Sequence, residues 1–122
     1  MPETDPILEL STHVEPPKIF KVDDTEYQLL GLEHLSAADE AKATALFTRF
    51  GQLVQLLDSA SNDRSAEQVA QNLRNRRIDL ISLLTTIPRA TAETLPLRAQ
   101  VQLFQAIQRE TGREELDDGA LS

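Results

Sequence analysis

Apolar and polar positions alternate with a period of two over residues 18–29. Phe20 and Val22 mark one apolar row, Tyr27 and Leu29 mark a second, and the turn-forming run Asp23-Asp24-Thr25 lies between them. This pattern predicts a β-hairpin with one apolar face. Because an isolated two-stranded ribbon is marginally stable in water, we expect that face to pack on the rest of the chain.

After the connector 31–35, the period changes to three and four residues, which is typical of helices. The first helix is expected to begin at Ser36, whose hydroxyl can cap the free amides of the first turn. Its apolar face comprises Ala43, Leu46, Phe47, Phe50, Leu53, Val54 and Leu57.

A second helix is predicted to open at Ser65, with Gln68 completing a capping-box pattern. The run 74–77 interrupts its stripe, so we expect a break or kink near Asn75 that divides the segment into two shorter helices. Residues 78–87 are apolar almost all round, as in a buried central helix, and Pro88 ends them.

The last helix is expected to start at residues 94–96 and to stop at Gly112. Its face of Leu97, Val101, Phe104 and Ile107 is the candidate docking surface, because a helix-in-groove interface needs apolar anchors at this spacing. We expect glutamines to rim that face, namely Gln100, Gln102, Gln105 and Gln108. The same face is also suited to self-association.

Together these elements predict an α+β, mainly α, fold: an N-terminal β-hairpin packed on a small bundle of about four helices, with flexible termini. Residues 1–17 form a proline-rich N-terminal arm, residues 18–112 a single domain, and residues 113–122 a disordered acidic tail. The side chains predicted to be buried are Leu46, Phe50, Leu53, Leu57, Leu80, Leu84 and Phe104.

Charge and composition then narrow the class of function. The net charge of −8 argues against a nucleic-acid partner. The chain has no cysteine, and no apolar run approaches the roughly 20 residues of a membrane span. We therefore expect a cytoplasmic protein without a membrane or nucleic-acid partner.

The sequence offers few residues that could catalyse a reaction or bind a metal ion. His13 and His34 have no further metal or catalytic residues at a suitable spacing, so we interpret them as ordinary surface histidines. The sequence predicts no catalytic residue, no metal site and no cofactor. Arg74, Arg76 and Arg77 are the one polar cluster of interest. They fit either a solvated helix turn or contact with an acidic partner, including the acidic ends of this chain.

The hairpin string 18–29, Lys-Ile-Phe-Lys-Val-Asp-Asp-Thr-Glu-Tyr-Gln-Leu, resembles the opening hairpin of tail assembly chaperones from long-tailed bacteriophages. That family's pattern runs basic, apolar, apolar, any residue, Val/Leu-Asp-Gly, any residue, Glu-Tyr, any residue, Leu; Asp24 stands where glycine is common. The resemblance extends to about residue 110 through the helical layout.

The resemblance implies a non-catalytic chaperone that binds and solubilises the tape measure protein and helps tail subunits assemble on it. It also implies host-cell cytoplasm as the location, the major tail protein as a further partner, and homo-oligomers. Two alternatives stay open: a small acidic escort such as a type III secretion chaperone, which would need about five strands, and a helical adaptor or regulatory protein.

Overall fold

The computed structural model describes residues 8–60 and 62–112. Its elements are β1 (Lys18–Val22), β2 (Thr25–Leu29), a one-turn 3-10 helix (Leu32–His34), α1 (Ala37–Asp58), α2 (Asp63–Leu84), α3 (Arg89–Thr94) and α4 (Leu97–Glu110). The expected hairpin followed by four helices is therefore confirmed. The predicted acidic tail, residues 113–122, and the first seven residues of the arm lie outside the described residues.

The hairpin has the predicted apolar face and a shorter turn than expected. Phe20 pairs with Tyr27 across the two strands, and their ring centroids lie 5.8 Å apart. Thr25 already belongs to β2, so the turn contains only Asp23 and Asp24. Asp23 adopts a positive φ of 53°, a conformation that aspartate tolerates better than most residues. A two-residue turn of this kind fixes the register of the ribbon.

Helix α1 begins as predicted. The Ser36 hydroxyl accepts a hydrogen bond from the Asp39 amide at 3.1 Å, which satisfies one free donor of the first turn. Ala43, Phe47, Phe50 and Leu53 are buried on one face. The ring of Phe50 lies 4.6 Å from that of Phe104, so α1 and α4 meet in the core.

Helix α2 corrects two predictions. It begins at Asp63, because the Asn62 side chain caps it by accepting from the Ser65 amide at 2.8 Å. It then continues to Leu84 without a break at Asn75. Arg77 lies between Leu73 and Leu80 on the buried face and is itself partly buried, so the stripe continues through the polar run.

The segment after α2 pairs with the outer edge of β2. Thr85 forms a bridge with Leu29, and the Thr86 amide donates to the Gln28 carbonyl at 3.0 Å. Inside this segment, the buried Thr85 hydroxyl donates to the Ile81 carbonyl at 2.6 Å and accepts from the Ile87 amide at 3.2 Å. These bonds fix the hairpin to the end of the central helix.

The region expected to lead into the last helix contains a short separate helix, α3. Helix α4 follows after Leu95 and Pro96 and ends at Glu110, and Gly112 just beyond it has a φ of 71°, as expected of a glycine that stops a helix. The Lys18 ammonium lies 2.6 Å from the Glu110 carboxylate, so an ion pair joins the hairpin to the end of α4. Helix α2 is central, since α1, α3 and α4 all pack on it.

The predicted core is largely confirmed. Five of the seven side chains are buried: Phe50, Leu53, Leu80, Leu84 and Phe104. Leu46 and Leu57 are partly buried and pack against that cluster.

Candidate protein-binding site

The predicted docking face on α4 is not a continuous exposed surface. Phe104 and Ile107 are 3% and 0% exposed and belong to the hydrophobic core. Leu97 is 64% exposed, and Val101, one turn further along, is partly buried. The expectation that this face is available to a partner is therefore wrong for Phe104 and Ile107, and Leu97 is its only strongly exposed member.

A rotation of α4 relative to the prediction explains this difference. The buried stripe consists of Gln100, Leu103, Phe104, Ile107 and Gln108. Two of the glutamines expected at the rim are thus in the interior. Gln100 is tolerated there because its Nε2 donates to the Leu95 carbonyl at 2.9 Å, which also satisfies a backbone group at the start of the helix.

The structure separates the three arginines of the predicted cluster. Arg76 pairs with Asp79, with 3.0 Å between Nε and Oδ2. The other oxygen of Asp79 lies 2.6 Å from Nη1 of Arg89, which also contacts Glu93. Arg76 is thus part of a local ion-pair network with Asp79, Arg89 and Glu93.

Arg74 and Arg77 form none of the ion pairs of that network. Arg74 donates only a long bond of 3.4 Å to the Glu93 carbonyl. The Arg77 guanidinium lies 5.8 Å from the centroid of the Phe50 ring, and no carboxylate among the described residues pairs with it. Burial lowers the pKa of Arg77, and the positive charge of Arg74 lowers it further. This cation is therefore partly desolvated without a compensating anion.

Arg74, Arg77 and Leu97 line the same concave surface, which we call the α2–α4 groove. It has a volume of about 590 Å³ and lies between α2 and the start of α4. Its apolar residues are Leu57, Ala70, Leu73, Leu95, Pro96 and Leu97, and its polar residues are Glu67, Gln71, Arg74, Arg77 and Gln100. The groove therefore unites two of the predicted arginines with one of the predicted apolar anchors.

Gln100 leaves an unused hydrogen-bond acceptor in this groove. The side chain is 1% exposed, and its Oε1 has no hydrogen-bond partner within the described residues. Leaving a buried acceptor unpaired costs free energy, about 1–3 kcal/mol. Arg77 and this oxygen therefore both lack a polar partner among the described residues.

Sequence reasoning missed Gln100, Leu57, Leu73 and Leu95 as groove residues. Gln100 follows Leu97 by three residues and precedes Phe104 by four, so its place on the buried stripe was readable from helical spacing. The contribution of Leu57 was not readable, because α1 meets the groove only through tertiary packing.

The two histidines contact groups of the connector and the arm. His34 accepts a hydrogen bond from the Gly31 amide at Nδ1, 2.8 Å away, and its Nε2 lies 2.5 Å from the Glu15 carbonyl oxygen. It therefore fixes the connector and the arm. His13 is exposed, 3.5 Å from the Glu15 carboxylate. Among the described residues, no group of three histidine, cysteine, aspartate or glutamate side chains is arranged to hold a metal ion.

Comparison of the chain with protein-family models, with characterised proteins and with solved structures finds no match. No helix in the described part of the chain is both long enough and apolar enough to cross a membrane.

Proposed function

We propose that this chain is a phage tail assembly chaperone, a non-catalytic protein of the host-cell cytoplasm. It binds and solubilises the tape measure protein and helps tail subunits, including the major tail protein, assemble on it. The hairpin string 18–29 supports the choice of family, and the α2–α4 groove supports the binding of a protein partner.

The observation that carries the proposal is the juxtaposition of Leu97, Arg77 and Gln100 in one groove. Leu97 exposes most of its side chain to water, whereas Arg77 is partly buried without a carboxylate partner and the Gln100 oxygen is buried without a hydrogen-bond partner among the described residues. An apolar anchor beside incompletely paired polar groups is what a binding surface needs, because the ligand supplies both the apolar contact and the missing polar partners.

The groove also indicates the chemistry of the bound segment. Leu73 and Leu95 form a nearly buried apolar floor, so the segment presents an apolar stripe, as an amphipathic helix does. A carboxylate near one end of the stripe pairs with Arg74 and Arg77. Glu67, two helical turns before Arg74 on α2, favours a basic or amide group at the other end.

The alternative classes receive less support. The described residues form two strands and one bridge, whereas a type III secretion chaperone would need about five strands. A helical adaptor protein could bind a partner through the same groove, but that class does not explain the sequence pattern of the hairpin, residues 18–29.

Co-expression with the tape measure protein tests the proposal. Leu97→Asp places a charge on the rim of the groove at an exposed position where the fold tolerates it, because an acid at the first turn of α4 also favours the helix dipole. Leu56→Asp is the matched control, since Leu56 is also substantially exposed but does not line the groove.

We expect the parent chain and Leu56→Asp to keep the tape measure protein soluble and to co-purify with it, while Leu97→Asp loses both activities and stays folded by circular dichroism. Equal co-purification of all three proteins would show that the groove is not the binding site. A tape measure protein that is equally insoluble with and without the parent chain would reject the function itself.

A further inference from the structure

Among the described residues, one edge of the hairpin is paired with another segment and the other edge is free. On the outer edge of β2, the Leu30 amide donates to the Leu84 carbonyl at 2.9 Å, and the Gln28 carbonyl accepts from the Thr86 amide. The Gln28 amide in turn donates to the Thr86 hydroxyl at 2.8 Å. The backbone groups of this edge are thus paired with the segment that leaves α2.

The free edge belongs to β1. Pairs in an antiparallel ladder alternate between those that exchange hydrogen bonds and those that do not. Gln28 directs its backbone groups away from β1, so its partner Ile19 directs its own amide and carbonyl outward, and Lys21, two residues on, does the same. No described segment pairs with this edge, and the Ile19 side chain is exposed.

An apolar groove lies beside the free edge. It has a volume of about 590 Å³ and is lined by Phe20 and Val22 from the hairpin and by Leu103 and Ala106 from α4, among others. Phe20 and Val22 are only partly buried, so the apolar row of β1 is not fully covered by the fold. An added strand would complete both the hydrogen-bond ladder and this row.

The N-terminal arm has the composition of such a strand. Leu8, Leu10 and Val14 are all exposed, the first two by 68% and 85%, so the arm does not bury its apolar side chains on its own body. Leu8-Glu9-Leu10 alternates apolar, acidic, apolar, which is the complement of Phe20-Lys21-Val22. Residues 1–17 carry four acids and no lysine or arginine, whereas Lys21 lies on the free edge.

The arm of the same copy is poorly placed to use this edge. The Glu15 carbonyl lies 2.5 Å from the His34 ring, and His34 follows β2 in the chain. This contact directs the arm toward the connector after β2, while the free edge lies on the other side of the ribbon. Leu8 and Leu10 are exposed and therefore available to another molecule.

We propose that residues 8–10 of one copy add to the free edge of β1 in a second copy as an antiparallel strand. Glu9 lies opposite Lys21, and Leu8 and Leu10 lie opposite Val22 and Phe20, where they extend the apolar row over the groove. The exchange is reciprocal and gives a two-fold symmetric dimer. The inference is independent of the proposed function, because it uses neither the α2–α4 groove nor the tape measure protein.

The first test is the mass of the purified full chain by sedimentation, measured over a roughly hundredfold range of concentration, because a dimer dissociates on dilution. The variant Leu8→Asp/Leu10→Asp should raise the dimer dissociation constant by about a hundredfold or more, since each dimer loses two apolar strand contacts. Val14→Asp is the matched control in the same arm. Val14 lies outside the pairing segment, so the control should dimerise like the parent chain.

Exchanging the charges of Glu9 and Lys21 tests whether these two residues lie opposite each other in the dimer. Glu9→Lys and Lys21→Glu each place like charges opposite one another and should each weaken their own dimer. Mixed together, the two variants form a heterodimer in which both strand contacts again join an acid to a base. We expect the mixture to dimerise more strongly than either variant alone.

Three results would overturn the proposal. A parent chain that stays monomeric across the concentration range excludes the dimer. Protection of the Ile19 and Lys21 amides from hydrogen exchange in a monomer would mean that the arm folds back on its own edge. A dimer that is unaffected by Leu8→Asp/Leu10→Asp, or charge variants that are not rescued by mixing, would place the interface elsewhere.

Discussion

Replacing Arg77 by methionine should make the free protein more stable. Arg77 is a partly buried cation on the apolar stripe of α2, no carboxylate among the described residues pairs with it, and Arg74, one turn earlier, repels it. Like charges at this spacing cost about 0.2–0.5 kcal/mol. Methionine has a similar helix propensity, fills the same space, and removes both the repulsion and the desolvation of the charge.

The competing term is the lost contact with the Phe50 ring. A cation–π interaction is worth about 0.5–1 kcal/mol at exposed sites and about 2 kcal/mol when desolvated, and at 5.8 Å the guanidinium of Arg77 lies near the distance limit, so the lower range applies. A methionine sulfur beside an aromatic ring recovers about 0.3–1.5 kcal/mol. The two contacts therefore roughly cancel, and the removed repulsion and desolvation decide the sign. We expect a gain of about 0.5–1 kcal/mol in the free energy of unfolding.

Arg76→Met is the matched control, since it makes the same change one residue earlier on the same helix. Arg76 pairs with Asp79 at 3.0 Å, so its loss should cost about 0.3–1 kcal/mol. Urea unfolding followed by circular dichroism gives both values by linear extrapolation. A loss of stability in Arg77→Met as large as that in Arg76→Met would refute the reasoning, because it would show that Arg77 is already compensated in the free protein.

Two further substitutions test the core and the hairpin junction. Phe50→Ala should cost about 3–5 kcal/mol, because it removes a ring 4.6 Å from that of Phe104, whereas Leu56→Ala on the exposed side of α1 should change the unfolding midpoint little. Equal midpoints would mean that the buried face of α1 is wrongly placed. Thr85→Val should cost about 1–3 kcal/mol, because the Ile81 carbonyl and the Ile87 amide both lose the buried hydroxyl. Unchanged thermal unfolding of that variant would show that water replaces the hydroxyl.

The prediction of four helices was right in number and wrong in assignment. Sequence reasoning reached about four by dividing α2 at Asn75, and it did not resolve the short helix α3. The polar run 74–77 suggested a break because a residue-by-residue pattern treats arginine as polar along its whole length. In the fold, Arg77 is partly buried on the same face as Leu73 and Leu80, since an arginine can pack its aliphatic stem on apolar neighbours.

The sequence predicted single residues of the candidate site, but it did not predict which of them lie together in the fold. Leu97, Arg74 and Arg77 were chosen from separate segments, and packing of α4 on α2 brings them to one groove. Phe104 and Ile107 were chosen with Leu97 because they share its helical spacing. That spacing identifies a face of the helix and gives no information about which part of the face its neighbours cover.

The sequence by itself determined the local elements of this protein. Alternation of period two established the hairpin, the Ser36 hydroxyl marked the start of α1, and Gly112 marked the end of α4, because each depends on contacts within a few residues. Only the tertiary structure decided the rotation of α4, the continuity of α2 and the pairing of Thr86 with Gln28. These features depend on the free energy of packing distant segments together, which exceeds the local preferences of a glutamine, an arginine or a threonine.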